Sequence, residues 1–391
     1  MTHVFFGCWN KAGEGRDAVL QDILDRYDSG QLTHLWVLGD NYYSDTWKVD
    51  TDKEDKLKLR MINLDELREG FVGLHQIVAK TGCEITIGLG NHELDRIGTV
   101  TESDLTTIVT ETPLKVPVTK SIGKKAKSKK QLFAIDKVSS KLQSSTRSPV
   151  YPRSQTPRSS HKALKNKVVY DLENQVCGKL GMKGALLAND GKPIAYRKQY
   201  GDTLFVMLNT CVFCEYKGPE ITYGGELGEP SFATLIVMGH HPAKYTKVKN
   251  DAIKEKACER LHQYLRSMKD AFPDLPFTYV CADEHYYHER SFNGITQYIV
   301  GSGGTDLDPI PPERKPSDTL GPYRREHGYL VLHDGRFRFV SVEGILRATA
   351  RKRKRKRKQT KKKKKRKKRT YRRRHTSHKR HKRHKRKYTL K

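Results

Sequence analysis

The chain has 391 residues, 76 Lys and Arg against 44 Asp and Glu, and a net charge of +32. That length holds one large domain or two ordinary ones with ample core, and no apolar run approaches the roughly 18 residues a membrane span needs. The charge is local: residues 351–391 carry 28 Lys and Arg with no acid, and residues 113–167 carry 15 against the single Asp136, leaving the rest at −10. The pattern is a mildly acidic soluble protein with two basic appendages. Met1-Thr-His-Val-Phe-Phe-Gly-Cys8 enters a strand directly, without a basic or a long apolar leader, which argues against a signal peptide. Seven Cys, an odd number, with Cys8, Cys211 and Cys281 inside strand patterns, read as buried thiols in a reducing compartment. Cys211-Val-Phe-Cys214 has no second pair with which to build a zinc ribbon.

In chain order, Glu14 to Tyr27 places Val19, Leu20, Ile23 and Leu24 on one face and predicts a helix ending near Ser29-Gly30. Leu35-Trp-Val-Leu-Gly-Asp40 is an apolar strand that ends on Gly39 and a carboxylate, with Tyr43 in reach of the same spot. Residues 44 to 60 read as polar and irregular. Leu64 to Lys80 predicts a second helix, and Glu84-Ile-Thr-Ile-Gly-Leu-Gly-Asn-His-Glu93 a strand ending in amide, imidazole and carboxylate. This order implies parallel neighbours with right-handed crossovers.

From about Glu102 to Lys167 the sequence becomes Lys-rich, then Ser-, Pro- and Arg-rich, with too few apolar residues to offset the entropy of ordering; it reads as a disordered insertion. Thr203-Leu-Phe-Val-Met-Leu-Asn209 and Phe232 to Met238 are buried strands, the second ending in Gly239-His-His-Pro242. Asp251 to Phe272 carries a helix. Phe277-Thr-Tyr-Val-Cys-Ala-Asp-Glu-His285 is a strand ending in two carboxylates and an imidazole. Short strands follow at Tyr286 to Phe292, Ile295 to Val300, Tyr329 to His333 and Arg336 to Val342. Ligands in open α/β sheets collect at the C-terminal ends of strands, so four such ends bearing oxygen and nitrogen donors point to one shared metal site.

The ordered set Gly7-Cys-Trp-Asn10, Gly39-Asp-Asn-Tyr-Tyr43, Gly90-Asn-His-Glu93, Gly239-His-His-Pro242 and Cys281-Ala-Asp-Glu-His285 resembles the five motifs of the calcineurin-like metallophosphoesterases. It is most similar to the purple acid phosphatase branch, because a Tyr stands three residues after the metal Asp. The resemblance spans residues 4 to 345, less the insertion. It implies a four-layer α/β/β/α sandwich of two mixed sheets flanked by helices, and a metallophosphoesterase domain over residues 1–345. It also implies hydrolysis of a phosphate ester by a dinuclear centre of divalent or trivalent Fe, Mn or Zn ions. Asp40 would bridge, with Tyr43, His285 and Cys8 on one ion and Asn91, His240 and Asp283 on the other; His92 would be the catalytic group. Hard oxygens with imidazole nitrogens suit such metals.

Two positions depart from the pattern: Cys8 stands where the family has Asp, and Asp283 where it has His. Both can bind metal, and a thiolate favours a softer ion; Cys8 read as a packed thiol at a site short of one ligand is the alternative. Tyr43 can be a ligand or a pocket wall. His288, three residues past His285, is pointed to the other face by strand alternation. His241 and Glu93 read as neighbours of ligands, and Gly301-Ser-Gly-Gly304 as a loop that shapes backbone near the site.

Residues 346–391 read as a disordered polybasic tail with His375, His378, His381 and His384 at every third position. Counterion release on a polyanion makes nucleic acid its natural partner, in a salt-dependent and sequence-independent way. The expected location is intracellular, in nucleus or cytoplasm, and a core with such a tail resembles proteins of large DNA viruses, which adds the virion. A catalytically inactive protein of the same fold that binds or packages nucleic acid is the alternative function.

Overall fold

The computed structural model of the chain describes residues 1–41, 43, 47–49, 58–60, 64–90, 170, 173–188, 191–214, 221–245, 252–309, 320–348 and 360. Asn91, His92, Glu93, the insertion at 102–167 and all of residues 349–391 except residue 360 lie outside them.

Two mixed sheets face each other. The first has five strands: β1 (Thr2–Phe6), β2 (His34–Val37), β5 (Glu84–Ile87), β13 (Gly328–His333) and β14 (Arg336–Ser341), in the order β14-β13-β1-β2-β5. β1, β2 and β5 run parallel, and the β13–β14 hairpin joins antiparallel at β1. The second has seven: β6 (Ile194–Tyr200), β7 (Thr203–Leu208), β8 (Thr234–Met238), β9 (Phe277–Cys281), β10 (Tyr287–Phe292), β11 (Ile295–Val300) and β12 (Leu320–Arg324), in the order β12-β10-β11-β9-β8-β7-β6. Its centre, β7-β8-β9-β11, is parallel.

Helices cover the outer faces. α1 (Glu14–Arg26) and α2 (Leu64–Thr81) turn Val19, Ile23, Phe71, Leu74 and Ile77 onto the first sheet's outer layer. α3 (Ala252–Ala271) turns Leu261, Tyr264, Leu265 and Met268 onto the second. Between the sheets lie Phe5, Trp36, Leu38, Phe205, Met207, Met238, Val280 and Leu330. Four layers result, α/β/β/α, because each sheet is apolar on both faces and must be covered twice. No helix among the described residues is long and apolar enough to cross a membrane.

Four strands differ from the sequence reading. Within the stretch read as irregular, β3 (Trp47–Val49) pairs antiparallel with β4 (Lys58–Arg60). β6 and β12 were not foreseen; both are edge strands, held by one neighbour each. β12 contains Pro322, which an edge tolerates because one side of the strand needs no donor.

At the end of the sandwich where β1 and β2 begin, His3 (2 % exposed) and His34 (0 %) are buried among aromatic rings. His34 stacks on Trp36 at 3.6 Å between centroids, and its ring nitrogens bond to Tyr200 Oη and Thr86 Oγ1, each at 2.8 Å. Burial lowers His3 to about 4 and His34 to about 3. Both rings are therefore neutral in the folded protein until well below the ordinary His range, whereas the unfolded chain takes up these protons near pH 6.5. Stability is full above pH 6.5 and falls as pH drops toward 4, by about 1.4 kcal/mol per pH unit for each ring. Urea midpoints measured between pH 7.5 and 5 should fall, and His34→Gln should flatten the slope; a midpoint independent of pH over that range would contradict this.

Candidate metal centre

The loops after β1, β2, β8 and β9 meet at one end of the sandwich, and backbone contact brings them there. A Cβ on Gly7 would lie 2.6 Å from that of Ala282, so the first sheet touches the second at this point. Gly39 has φ +85°, and a Cβ there would lie 2.6 Å from the Gly90 nitrogen. Only glycine allows both the turn and the approach. Gly303 donates its N–H to Gly7 O at 3.1 Å, so the loop at 301–304 does shape this end of the fold.

Three of the residues that present side chains here have left-handed backbones: Cys8 at φ 51°, Asp40 at φ 54° and Asp283 at φ 58°. Each such residue costs roughly 1–2 kcal/mol, less for Asp than for most. The surroundings hold them in place. Cys8 N–H donates to Gly39 O at 3.2 Å, and Cys8 O accepts from Thr305 at 3.1 Å.

Asp40 is the hub. Its Oδ2 accepts from Tyr43 Oη at 2.8 Å and from Cys8 Sγ at 3.6 Å, while its Oδ1 lies 3.3 Å from His240 Nε2. His240 Nε2 is also 3.8 Å from Asp283 Oδ1. His240 Nδ1–H donates to Leu38 O at 2.8 Å, so Nε2 is the nitrogen that faces both carboxylates. Cys8, Asp40 and His240 are all at most 1 % exposed. One ligand atom from each lies within 4.8 Å of the others, the only such group of three among the described residues. Thiol, carboxylate and imidazole facing inward in a buried space fit a cation, which would satisfy Nε2 and the carboxylates together.

Burial pushes the Cys8 thiol well up, and the Asp40 and Asp283 carboxylates add to it. The Tyr43 phenol is raised in the same way, by burial first and then by Asp40. Tyr43 is 6 % exposed, and His285 packs edge-on against it at 6.2 Å. His285 is oriented by Nδ1–H to Asp306 O at 3.0 Å and by its own N–H to Asp308 Oδ2 at 3.1 Å, which makes Nε2 the ring nitrogen outside these bonds. Burial lowers its pKa against the opposing pull of Asp308, Asp40 and Asp283. Asp306 is held ionised by Lys11 at 2.9 Å.

Of the sequence-predicted residues, the structure brings together Cys8, Asp40, Tyr43, His240, Asp283 and His285. Asn91 and His92 lie outside the described residues. The chain is described up to Gly90, where an added Cβ would meet Asp40 Oδ1 and His240 Cε1. His288 is on the opposite face, against Tyr323 at 6.0 Å.

Sequence reasoning missed the supports. Thr210 Oγ1 accepts the backbone N–H groups of His240 (3.2 Å) and His241 (3.1 Å) and donates to His241 Nδ1 at 2.8 Å. Trp9 Nε1 donates to Asn41 Oδ1 at 3.1 Å, Asn41 Nδ2 to Gly88 O at 2.9 Å and Asn10 Nδ2 to Asn41 O at 2.8 Å. The polar run Trp9-Asn10 after the first strand was the available signal.

No protein-family model and no curated protein sequence matches the chain. Among solved structures it is similar to a purple acid phosphatase from yellow lupin (Lupinus luteus) seeds, with 13 % identity and a TM-score of 0.41 over 88 % of this chain and 52 % of that one. It is also similar to GAP50, the anchor in the inner membrane complex of Plasmodium, with 11 % identity and a TM-score of 0.42 over 88 % and 84 %. A third is PhoD, with 11 % identity and a TM-score of 0.42 over 85 % and 63 %. The chain thus spans about half the length of the lupin protein. At these values the site has to be read from its own residues.

Gly39→Ala should destabilise the fold by about 1–3 kcal/mol, since it strains φ and forces the Asp40 and Gly90 loops apart. Urea unfolding measures this as a lowered midpoint with unchanged slope; an unchanged midpoint would show that the close approach is not needed.

Proposed function

We propose that this chain is a calcineurin-like metallophosphoesterase, most similar in its motifs to the purple acid phosphatases, that hydrolyses a phosphate ester with the help of bound metal ions. The observation that carries the reading is the convergence of Cys8, Asp40 and His240 on one buried spot, with Tyr43, Asp283 and His285 beside it. Two ions, of Fe, Mn or Zn, would supply Lewis acidity toward a phosphoryl group and toward the attacking water.

The motif resemblance assigns Asp40 to both ions, Tyr43, His285 and Cys8 to one, and Asn91, His240 and Asp283 to the other. The chain's own residues do the positioning. Leu38 O sets the His240 ring, Asp306 O sets that of His285, and Tyr43 fixes Asp40 Oδ2. Burial keeps bulk water from competing for these donors. His92, next to Asn91 in sequence, is assigned the proton for the leaving oxygen.

The tail adds a location for this activity. The 28 cationic side chains of residues 351–391, without an acid among them, would hold the enzyme on nucleic acid by counterion release.

The test is hydrolysis of p-nitrophenyl phosphate and of its bis-ester by full-length protein and by protein ending at Ala350, with Mn²⁺, Zn²⁺ or Fe²⁺ added. Metal-dependent turnover is expected in both forms and should fall by about 10²-fold or more in His92→Ala. The preferred ester distinguishes monoesterase from diesterase. Only the full-length form should bind DNA with a steep salt dependence. Turnover absent with every metal would overturn the enzyme reading and favour the inactive nucleic-acid binder, the reading to which Cys8 and Asp283 lend weight.

A further inference from the structure

The motif resemblance puts Cys8 and His240 on different ions; the donor geometry groups them together. We propose that Cys8, Asp40 and His240 take a single thiophilic ion, so that this position selects Zn²⁺, Co²⁺ or Cd²⁺ over Mn²⁺ and Mg²⁺. The inference rests on the metal reading above and adds the class of ion.

Three observations carry it. First, the separations suit one ion. Bonds of about 2.0–2.3 Å put neighbouring donors of a tetrahedral site about 3.3–3.8 Å apart. Cys8 Sγ is 3.6 Å from Asp40 Oδ2, His240 Nε2 is 3.3 Å from Oδ1 of the same carboxylate, and one ligand atom from each of the three residues lies within 4.8 Å of the others, so a small closing of the three brings them to one ion. Second, the donors are fixed before any ion arrives. His240 is oriented through Leu38 O, and Cys8 is held on both sides of its peptide by Gly39 O and the Thr305 N–H. Such anchoring of ligands is what tunes a metal site. Third, φ 51° at position 8 suits Asp or Asn better than Cys. An Asp there would supply a hard oxygen at lower backbone strain, so what Cys brings to the position is sulfur. A set of one sulfur, one nitrogen and one carboxylate oxygen is soft enough to prefer Zn²⁺ and its analogues, whereas oxygen-rich sets suit Mn²⁺ and Mg²⁺.

The probe is Co²⁺, titrated into the reduced full-length protein and followed by absorption. A sulfur-to-cobalt charge-transfer band in the near ultraviolet should grow to saturation, be bleached by Zn²⁺ and resist excess Mn²⁺. His residues of the tail give no such band, which keeps their binding out of the reading. The band should be lost in Cys8→Ser and kept in Cys211→Ser, whose thiol bonds to Gly90 O at 3.4 Å close to the site. Cys8→Asp, which fits the left-handed backbone and so should fold, should lack the band and show a smaller preference for Zn²⁺ over Mn²⁺ than the parent.

Cobalt bound by the parent outside its tail without a band, or a band that survives in Cys8→Ser, would overturn the proposal. Mn²⁺-dependent hydrolysis by a parent that shows no band would overturn the thiophilic site alone and leave the phosphoesterase reading standing. A parent that binds no metal outside its tail would remove both.

Discussion

The structure depends on the burial of one carboxylate. Asp40 is 1 % exposed, and its two oxygens are shared among a phenol, a thiol and an imidazole. A carboxylate taken out of water costs several kcal/mol unless partners compensate. Each partner comes from a different strand end, so the compensation is available only when β1, β2 and β8 finish at the same place. The electrostatic demand of the site and the register of the sandwich are therefore one constraint. Hydrogen-bonded protons meet part of that demand, and a cation would meet it more fully, which is why the arrangement reads as a metal centre rather than as a buried polar patch.

That constraint also explains the backbone. The strand ends approach so closely that Gly7, Gly39 and Gly303 have no room for a side chain. Three of the residues that carry side chains into the gap, Cys8, Asp40 and Asp283, turn left-handed to reach it. Conformational strain is concentrated where the donors are, and the three apolar layers of the sandwich hold it there. The other end of the sandwich is built differently. His3 and His34 are neutral packing rings there, held by Trp36, Tyr200 and Thr86, and their chemistry is spent on stability rather than on a site.

Much of this was legible in the sequence because local pattern and tertiary role coincide. An apolar run that stops on glycine and a polar donor, as at Gly39-Asp40 and Gly239-His240, reads as a strand end at a site without reference to other parts of the chain. Helices α1, α2 and α3 carry their periodicity within themselves. What was not legible depends on partners far along the chain. β6 alternates without an apolar run because its inner face packs only partly, through Ala195, Tyr196 and Tyr200. β3 and β4 are three residues each, too short to show a period. The hairpin turns at Asn293-Gly294 and Asp334-Gly335 carry the sequence signature of left-handed pairs, and both adopt it. At Cys8 the same conformation has no local cue. Thr210, the residue that ties down His240 and His241, looks in the sequence like any polar residue after a strand.

The most direct measurement is anomalous X-ray scattering from crystals of the protein grown with Zn²⁺ and, separately, with Mn²⁺, collected at each metal's absorption edge. The predicted result is density at coordination distance from Asp40, with the Zn²⁺ peak also against Cys8 and His240. Anomalous density confined to the surface, with none beside Asp40 for either metal, would contradict the metal centre and the function built on it.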